Sequence, residues 1–476
     1  MHIYIVKRIL VFIPTLLFIC FIAFTINNLA PGDPVIRLLH GETEKPENKN
    51  FYDMRYQQVR HQLGLDLPTF YFSIKTLADP DTLYKISNAQ ERKALNALVS
   101  NFGNWNEISS YYLNLKKAYT NNSNHPQLSS ILHSIIQCNN IEQLDFLMEK
   151  LKQQTESTVF SESEAKQLLL NTYINWQSLK TNSSKWKCFI PKLRLHGNNQ
   201  FHRWLFGDGK WMNGENAVFT RGIIRGDFGR SYITGKSVGR QLHEKTKWTI
   251  FFSLTSILLA YLISIPIGVK SGSKPGLRFD RWSSGVLALL YSMPAFFVAT
   301  LLMMLFANQS MLNWFPSSGV APVEGYAENL PFYAKVITSL PYIVLPMICY
   351  TYGSLAFLAR AVRSGMMEVM EKEYILTARA KGMTEHTISW KHAFRNALFP
   401  LITILAYVFP AMVGGSAILE TIFSIPGLGL EIVNSIFNQD YPVITAVFLI
   451  TGFLTMVGYL FSDILYTWAD PRIKLN

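Results

Sequence analysis

The sequence predicts an all-α, polytopic membrane protein with six transmembrane helices and a helical extracytoplasmic insert between helices one and two. Six windows of about 20 residues or more contain no Asp, Glu, Lys or Arg, and a helix needs about 20 apolar residues to cross a bilayer core. Basic residues concentrate in alternate short loops, and a long polar segment separates the first two windows. One such window could be a buried helix of a soluble protein, but six indicate a membrane protein.

The charge-free windows define the predicted spans in chain order. They are Ile9–Leu29, Trp248–Val269, Ser283–Phe306, Val336–Ala359, Asn396–Leu419 and Tyr441–Ser462. The first is too long for a signal-peptide core and lacks a small-residue cleavage site, so we expect it to be retained. No charged residue lies centrally in any window. This argues against one class of membrane protein, the ion-coupled secondary transporters, because such carriers are expected to hold ionisable residues inside the membrane.

Lys and Arg in the short loops predict the orientation. Lys7 and Arg8 precede the first window, residues 270–281 hold four basic residues against one acid, and residues 360–395 hold seven against four. The intervening short loops are acidic, so we expect an inner-membrane protein with both termini in the cytoplasm. The net charge of +12 then reflects mainly the orientation of the chain in the membrane, and the lipid bilayer is its expected partner. Nucleic-acid binding would need basic and aromatic residues clustered on a soluble face.

Residues 69–220 are predicted to form a separate helical domain. The segment is rich in Asn, Gln, Ser and Lys, and its apolar residues follow helical spacing, as at Leu128, Ile131, Leu132, Ile135 and Ile136. The predicted domains are therefore 1–68, 69–220 and a five-helix core over 221–476. Cys138 and Cys188 lie in the insert, where a disulfide can persist. The sequence gives no distance between them, so a disulfide and two free thiols both stay open.

The loop over residues 360–395 has helical character and a sharp corner. The stretch Met366–Lys381 favours a helix, and Gly382 is a natural helix stop because Gly adopts a left-handed φ at little cost. Thr384 can cap a following helix, with Glu385 in its first turn. A small residue and a Gly at such a corner would let another backbone approach closely. The alternative is a solvated loop that only sets orientation.

No catalytic or metal-binding motif is found in the sequence. Gly235-Lys236-Ser237 ends like a phosphate-binding loop, but Arg230 stands where the first Gly must be. His243-Glu244 begins like a zinc-binding helix, but Lys247 stands where the second His must be. We therefore expect no catalytic residue, no metal site and no cofactor bound by this chain. Energy for any work must come from a partner.

Several motifs resemble one protein family and occur in the family's order. They are Ala30-Pro31-Gly32-Asp33-Pro34, Gly226-Asp227-Phe228-Gly229-Arg230-Ser231, Ala378-Arg379-Ala380-Lys381-Gly382, Arg395-Asn396-Ala397-Leu398-Phe399-Pro400, Ile425-Pro426-Gly427-Leu428-Gly429 and Asp440-Tyr441-Pro442. Together they resemble the inner-membrane permeases of binding-protein-dependent ABC importers, most closely the first permease subunit of the dipeptide, oligopeptide and nickel subfamily. The resemblance covers about two-thirds of the chain, because the family usually has only a short link in place of residues 67–225.

The resemblance implies half of a translocation pathway for peptides, nickel or other small solutes. Its expected partners are a second permease subunit, forming a heterodimer, cytoplasmic ABC ATPase subunits and an extracytoplasmic solute-binding protein. ATP hydrolysis would belong to the ATPases, so this chain would not be an enzyme. The ATPases would contact Thr377, Ala378, Arg379, Ala380, Lys381 and Gly382. The solute-binding protein would face Glu420, Pro426, Gly427 and Asp440. The insert is either an addition without an essential role or a docking surface for the solute-binding protein or another outer partner.

Overall fold

The structure is a computed structural model, and two compact units make up the chain. It describes residues 2–30, 32–40, 49–86, 88–122, 125–157, 163–209, 219–322, 324–326, 330–398, 401, 404–405 and 416–469. Residues Met1–Gly41 and Gly226–Asn476 form the first unit, and Glu42–Arg225 form the second. We call them the membrane unit and the insert unit.

The elements are almost entirely helical, which confirms the predicted fold class. In chain order they are α1 (His2–Leu29), α2 (Pro34–His40), α3 (Lys49–Gln62), β1 (Phe72–Thr76), α4 (Ala89–Phe102), α5 (Trp105–Asn121), α6 (Pro126–Gln137), α7 (Ile141–Ser157), α8 (Ser163–Thr181), β2 (Pro191–Leu195), α9 (Gln200–Phe206), α10 (Val238–Ser273), α11 (Arg278–Ser292), α12 (Ala295–Leu302), α13 (Phe332–Met370), α14 (Glu373–Ala380), α15 (Glu385–Thr387), α16 (Ala417–Ile422), α17 (Leu428–Phe437) and α18 (Tyr441–Ala469). Short 3₁₀ turns cover Leu83–Lys85, Lys185–Phe189 and Ile223–Arg225. Short π-helical turns continue α12 over Met303–Ala307 and α15 over Ile388–Ala393.

Four helices in the described part of the chain are long and apolar enough to cross a membrane. They cover Ile5–Leu29, Val238–Ser273, Phe332–Met370 and Tyr441–Leu465, and they match the first, second, fourth and sixth predicted windows. Most of the fifth window, Asn396–Leu419, lies outside the described residues, and Gly414 and Gly415 lie in that part.

The third predicted window is not one straight helix. Its two halves, α11 and α12, meet at an angle of 95°. Pro294 lies at the break, and Met293 before it has an extended backbone with φ −92° and ψ 123°. A residue that precedes Pro avoids the helical region because of a steric clash with the ring. The span predicted over Ser283–Phe306 is therefore broken at Pro294, and the pair counts as a fifth span only if both halves are taken together.

The core of the membrane unit includes the contact between α10 and α13. A Cβ added to Gly268 of α10 would lie 2.4 Å from the Cβ of Val362 on α13, so the two backbones approach closely there. Small residues allow such close packing between helices in a membrane. The packing continues into the start of the 360–395 loop, because Val362 and Met366 are fully buried in the same apolar cluster.

The insert unit has its own apolar core, built from the helical stripes that the sequence predicts. Trp176 of α8 and Tyr111 of α5 are almost fully buried beside Leu132 of α6, and the Trp176 indole donates to the Asp145 carboxylate at 2.9 Å. The sequence did not predict the antiparallel pair β1 and β2, whose residues lie more than 100 positions apart. The unit also begins earlier than residue 69. The guanidinium of Arg203 donates to the carbonyls of His61 and Gln62 at 3.1 and 2.7 Å, which joins α9 to α3.

Cys138 and Cys188 are both free thiols in the described structure. The Cys138 thiol donates to the Asn140 carbonyl at 3.2 Å, and the Cys188 thiol donates to the Val99 carbonyl at 3.3 Å. Burial raises the pKa of the Cys188 thiol, which keeps the thiol protonated and poorly reactive near neutral pH. Of the two alternatives left open by the sequence, the structure favours free thiols.

We expect four alkylated cysteines per chain when the purified protein is unfolded without reductant and then treated with iodoacetamide. The unfolded state exposes Cys20, Cys138, Cys188 and Cys349 equally, so mass spectrometry should find all four modified. A reductant-treated sample is the control and should give the same number. Two modified cysteines before reduction and four after it would show that a disulfide forms in the insert unit.

Candidate functional site

The short helix α14 is held by the membrane unit on one side and exposed on the other. Ile375 is fully buried and Ala378 is 7% exposed, and both pack in the cluster that contains Val362 and Met366. The opposite side presents Leu376, which is 55% exposed, together with the exposed residues Thr377, Ala380 and Lys381. A partner that contacts this exposed side would therefore act on a helix that packs in one apolar cluster with the turn Ile388–Ala393 and with residues of α13.

A sharp corner follows α14 at Gly382. This residue has φ +74°, and a Cβ added to it would meet no atom of the chain within 4 Å. The left-handed φ and the cap at Thr384, whose hydroxyl accepts from the Thr387 amide at 3.3 Å, confirm the predicted stop and restart. Because the corner is open on its outer side, another backbone can approach it closely.

A salt bridge spans this corner. The guanidinium of Arg379 donates to both carboxylate oxygens of Glu385, at 2.8 and 3.3 Å. The hydrogen bond from Arg379 lowers the pKa of the Glu385 carboxyl, which is therefore ionised at neutral pH. Both side chains are about half exposed, so the pair contributes little stability. It joins the last turn of α14 to the first residue of α15.

Two details of the loop differ from the sequence prediction. The helix predicted over Met366–Lys381 is interrupted, because α13 ends at Met370 and α14 begins at Glu373. Ala378 was predicted to contact an ATPase, but it faces the interior and anchors α14. Sequence reasoning also missed the exposed Leu376. Its apolar side chain next to the buried Ile375 was the available signal, because adjacent residues of a helix point in different directions.

A partly buried ion pair joins the start of this loop to the neighbouring loop. The Arg363 guanidinium donates to the two carboxylate oxygens of Asp280, at 2.5 and 2.9 Å. Asp280 is only 3% exposed and also accepts from the Ser271 hydroxyl and from the Gly276 amide. Residues at the ends of α10, α11 and α13 are thus held by one carboxylate. The sequence placed both charges in loops and gave no sign that they pair.

Glu420 is fully buried, which corrects the prediction that it faces a solute-binding protein. Its carboxylate accepts from the Thr249 hydroxyl at 3.0 Å and from the Leu430 amide at 2.9 Å. The chain at Gly427 passes directly over it, since a Cβ there would lie 2.4 Å from the carboxylate. Gly427 is buried as well and Pro426 is only partly exposed. Glu420 therefore holds the segment between α16 and α17 against α10.

Asp440 is 5% exposed and is likewise an internal group. It accepts from the Ser231 hydroxyl and, at 3.0 Å, from the Tyr232 amide. Arg37 of α2 donates to the neighbouring Gln439 carbonyl at 2.7 Å. Three motif regions that are distant in the sequence thus meet at the start of α18. The exposed groups at this end include Ile436 and Phe437, 55% and 83% exposed, which the sequence prediction did not name.

We expect Glu420→Gln to lower the free energy of unfolding by about 1–3 kcal/mol, the cost of leaving a buried polar group unsatisfied. The carboxylate accepts from the Thr249 and Tyr350 hydroxyls through one oxygen and from the Leu430 amide through the other, whereas the new amide nitrogen would face a donor. Thermal unfolding of the purified chain in detergent measures the loss. Glu324→Gln is the control, because Glu324 is exposed, and it should unfold like the parent. Equal unfolding of both variants would contradict the internal role of Glu420.

Comparisons with known proteins agree with the predicted family. Residues 264–475 match the family model described as the binding-protein-dependent transport system inner membrane component. The oligopeptide transport system permease protein AppB of Bacillus subtilis is 37% identical over 287 residues, which cover 60% of this chain and 84% of that protein. The inner membrane ABC transporter permease protein YejB of Escherichia coli O157:H7 is 37% identical over 254 residues, which cover 53% of this chain and 69% of that protein.

A solved structure of the MetNI methionine ABC transporter, in an inward-facing conformation, is similar at 19% identity and a TM-score of 0.38. The match covers 48% of this chain and 96% of that one. None of these comparisons supports the alternative of an ion-coupled carrier. On the sequence identity with the two permeases and on the family model, the chain belongs to the binding-protein-dependent transport system inner membrane components, as a permease of an ABC importer.

Proposed function

We propose that this chain forms half of the translocation pathway of an ATP-driven peptide importer and couples to separate ATPase subunits through α14 and the Gly382 corner. The observation that carries the proposal is the two-sided environment of α14. Ile375 and Ala378 pack in one apolar cluster with residues of α13 and of the turn Ile388–Ala393, while Leu376, Thr377, Ala380 and Lys381 are exposed. A movement imposed on the exposed side is passed to α13 through the buried side.

The ATPases supply the free energy by binding one conformation of the permease better than the other. ATP shifts the equilibrium between conformations only as far as its affinities for them differ. The Arg363–Asp280 pair would add two more helices to the part of the permease that moves, because Asp280 links α10 and α11 to α13. In this proposal α14, α13 and the adjoining ends of α10 and α11 move together.

The remaining partners are a second permease subunit and a solute-binding protein. The exposed Ile436 and Phe437 at the end of α17 replace the buried Glu420, Gly427 and Asp440 as the contacts proposed for the solute-binding protein. Both termini and the Gly382 corner lie in the cytoplasm in this proposal, as the distribution of Lys and Arg indicates. Peptides are the proposed substrate class, because relatives of this chain are named as oligopeptide and peptide permeases.

The proposal is tested by purifying the affinity-tagged chain from its native membranes in mild detergent and identifying the proteins that remain bound. We expect a second permease and one or two ATPases with phosphate-binding loops. Leu376→Glu should release the ATPases and retain the second permease, because Leu376 is exposed on α14. A chain that carries no ATPase in several mild detergents would contradict the proposal.

A matched substitution separates loss of contact from loss of folding. Ile418 of α16 is 59% exposed, similar to Leu376, but it lies far from α14 in the sequence and near the opposite ends of the spans. Ile418→Glu should leave the ATPases bound. If both variants lose them, the effect of Leu376→Glu reflects general damage, and the role assigned to α14 would be rejected.

A further inference from the structure

The two-stranded ribbon β1–β2 of the insert unit has one strongly apolar face that is exposed. Phe72 pairs with Leu195, and Ile74 pairs with Leu193, so these four side chains point to the same face of the ribbon. They are 55%, 81%, 70% and 62% exposed, respectively. Phe189, which precedes β2, is 83% exposed and lines the same shallow depression as Ile74. We call these five residues the ribbon patch.

The ribbon patch differs from the other exposed apolar side chains of the insert unit. Met54, Leu113, Phe146 and Ile174 are also exposed, but they lie on different helices, and scattered apolar residues are normal on a protein surface. In the ribbon, two paired rows of large side chains form one contiguous surface. Leaving it in water is unfavourable by roughly 25 cal/mol for each Å² of apolar area. A contiguous patch of this kind indicates an interaction site.

Positive charge predominates around the ribbon patch, although Asp79 lines the same depression as Ile74 and Phe189. Residues 71–77 and 185–195 contain no Asp or Glu, and they contain five cations: Lys75, Lys185, Lys187, Lys192 and Arg194. Arg194 is largely turned inward, near Asp81, whereas Lys75, Lys185 and Lys192 are exposed. Trp186, between two of these lysines, is 58% exposed. The surface therefore combines exposed aromatic and aliphatic groups with flanking ammonium groups.

We propose that the ribbon patch docks onto the surface of the membrane that anchors the chain, with its apolar side chains at the acyl boundary and its lysines on anionic phospholipid headgroups. Such a combination of Trp, Phe and Leu with Lys is typical of segments that lie in the membrane interface. A protein partner fits less well, since Lys is depleted in protein–protein interfaces relative to the rest of the surface.

The connectivity of the chain favours this occupant. The insert unit is joined at its start to the segment that follows α1 and at its end to the segment that precedes α10, and both helices are long enough to cross a membrane. The bilayer is therefore present at a high effective concentration, as for any tethered ligand. Under those conditions even a weak affinity for the membrane interface is enough to keep the ribbon patch bound. The inference does not depend on the substrate or on which ATPase drives transport.

The inference is tested by photocrosslinking of the full-length chain in proteoliposomes. A benzophenone amino acid replaces Leu193 or Leu195 and, as a control, Phe146, which is 69% exposed on α7 of the same unit. After illumination, mass spectrometry identifies lipid adducts. We expect lipid adducts at Leu193 and Leu195 and few at Phe146. The yield should be about fivefold higher or more when phosphatidylglycerol is mixed into phosphatidylcholine, which is the effect expected from a single lysine near an anionic surface.

The lysines provide a second, independent readout. Replacing Lys75, Lys185, Lys187 and Lys192 together with Gln should reduce the adduct yield in the anionic vesicles to the yield in phosphatidylcholine alone, since the apolar groups remain. Lipid adducts at Phe146 as frequent as those at Leu193 would overturn the proposal. The proposal would also be overturned if, in native membranes, position 193 were crosslinked only to another protein, because the ribbon patch would then be a protein-docking surface.

Discussion

Gly382→Asp is expected to reduce uptake by about thirtyfold or more, the effect of losing an interface contact of roughly 2 kcal/mol, while the chain still inserts into the membrane. Gly382 has φ +74° and no neighbouring atom within 4 Å of its Cβ position, so the new side chain clashes with nothing in this chain. The strain of a left-handed φ is of order 1–2 kcal/mol and falls on an exposed corner. The larger loss must come from a partner that approaches the corner closely.

Two further variants separate these causes. Gly325→Asp is a matched control, since Gly325 has φ +80° and equally open surroundings in a different loop; its uptake should stay close to that of the parent. Gly382→Asn tests strain, because Asn adopts a left-handed φ more readily than other residues. It should still impair uptake, because its Cβ remains. Uptake assays at matched expression decide between these outcomes. Full uptake activity of Gly382→Asp would contradict the role proposed for the corner.

Arg363→Met is expected to lower the free energy of unfolding by about 3–5 kcal/mol, because it leaves the buried Asp280 carboxylate without its ionic partner. Ser271 and Gly276 still donate to that carboxylate, but neither neutralises its charge. Chemical unfolding in mixed micelles measures the change. Uptake should fall with it, since the connection between α13 and the ends of α10 and α11 is lost.

The chain offers a matched pair for comparison. Arg379 donates to Glu385 with the same two-pronged geometry, but both of those side chains are substantially exposed. Water and salt screen such a pair, so Arg379→Met should cost less than about 1 kcal/mol. If the two substitutions cost the same, the burial of Asp280 does not matter energetically, and the Arg363–Asp280 pair would not be the connection that we infer.

Local chemistry explains what the sequence predicted well. Charge-free windows predict spans because an unpaired charge is costly in a bilayer core. Gly382 and Thr384 predict a corner because a left-handed φ and a capping hydroxyl depend on residue type at one position. The break at Pro294 belongs to the same class. Its signal was present in the sequence, but the uniform hydropathy of the window concealed it.

Contacts between distant residues explain the errors. Glu420 and Asp440 lie in a segment whose composition suits a surface. Their burial is possible because Thr249, Ser231 and Tyr232 supply donors from other parts of the chain. The inward direction of Ala378 depends in the same way on the packing of α14 in the apolar cluster that contains Val362 and Met366. Sequence periodicity shows that a helix has two sides, but the tertiary structure decides which side is covered.

The sequence by itself determined the family, the order of the spans and the presence of a separate insert, because these follow from hydropathy, charge bias and motifs within short segments. Only the tertiary structure decided that Asp280 binds Arg363, that Glu420 is internal and that β1 pairs with β2 to expose the ribbon patch. The physical reason is that such pairings join segments that are distant in the sequence, in two of these cases by more than 100 residues. Their free energies depend on burial and hydrogen-bond geometry, which no local pattern of residues records.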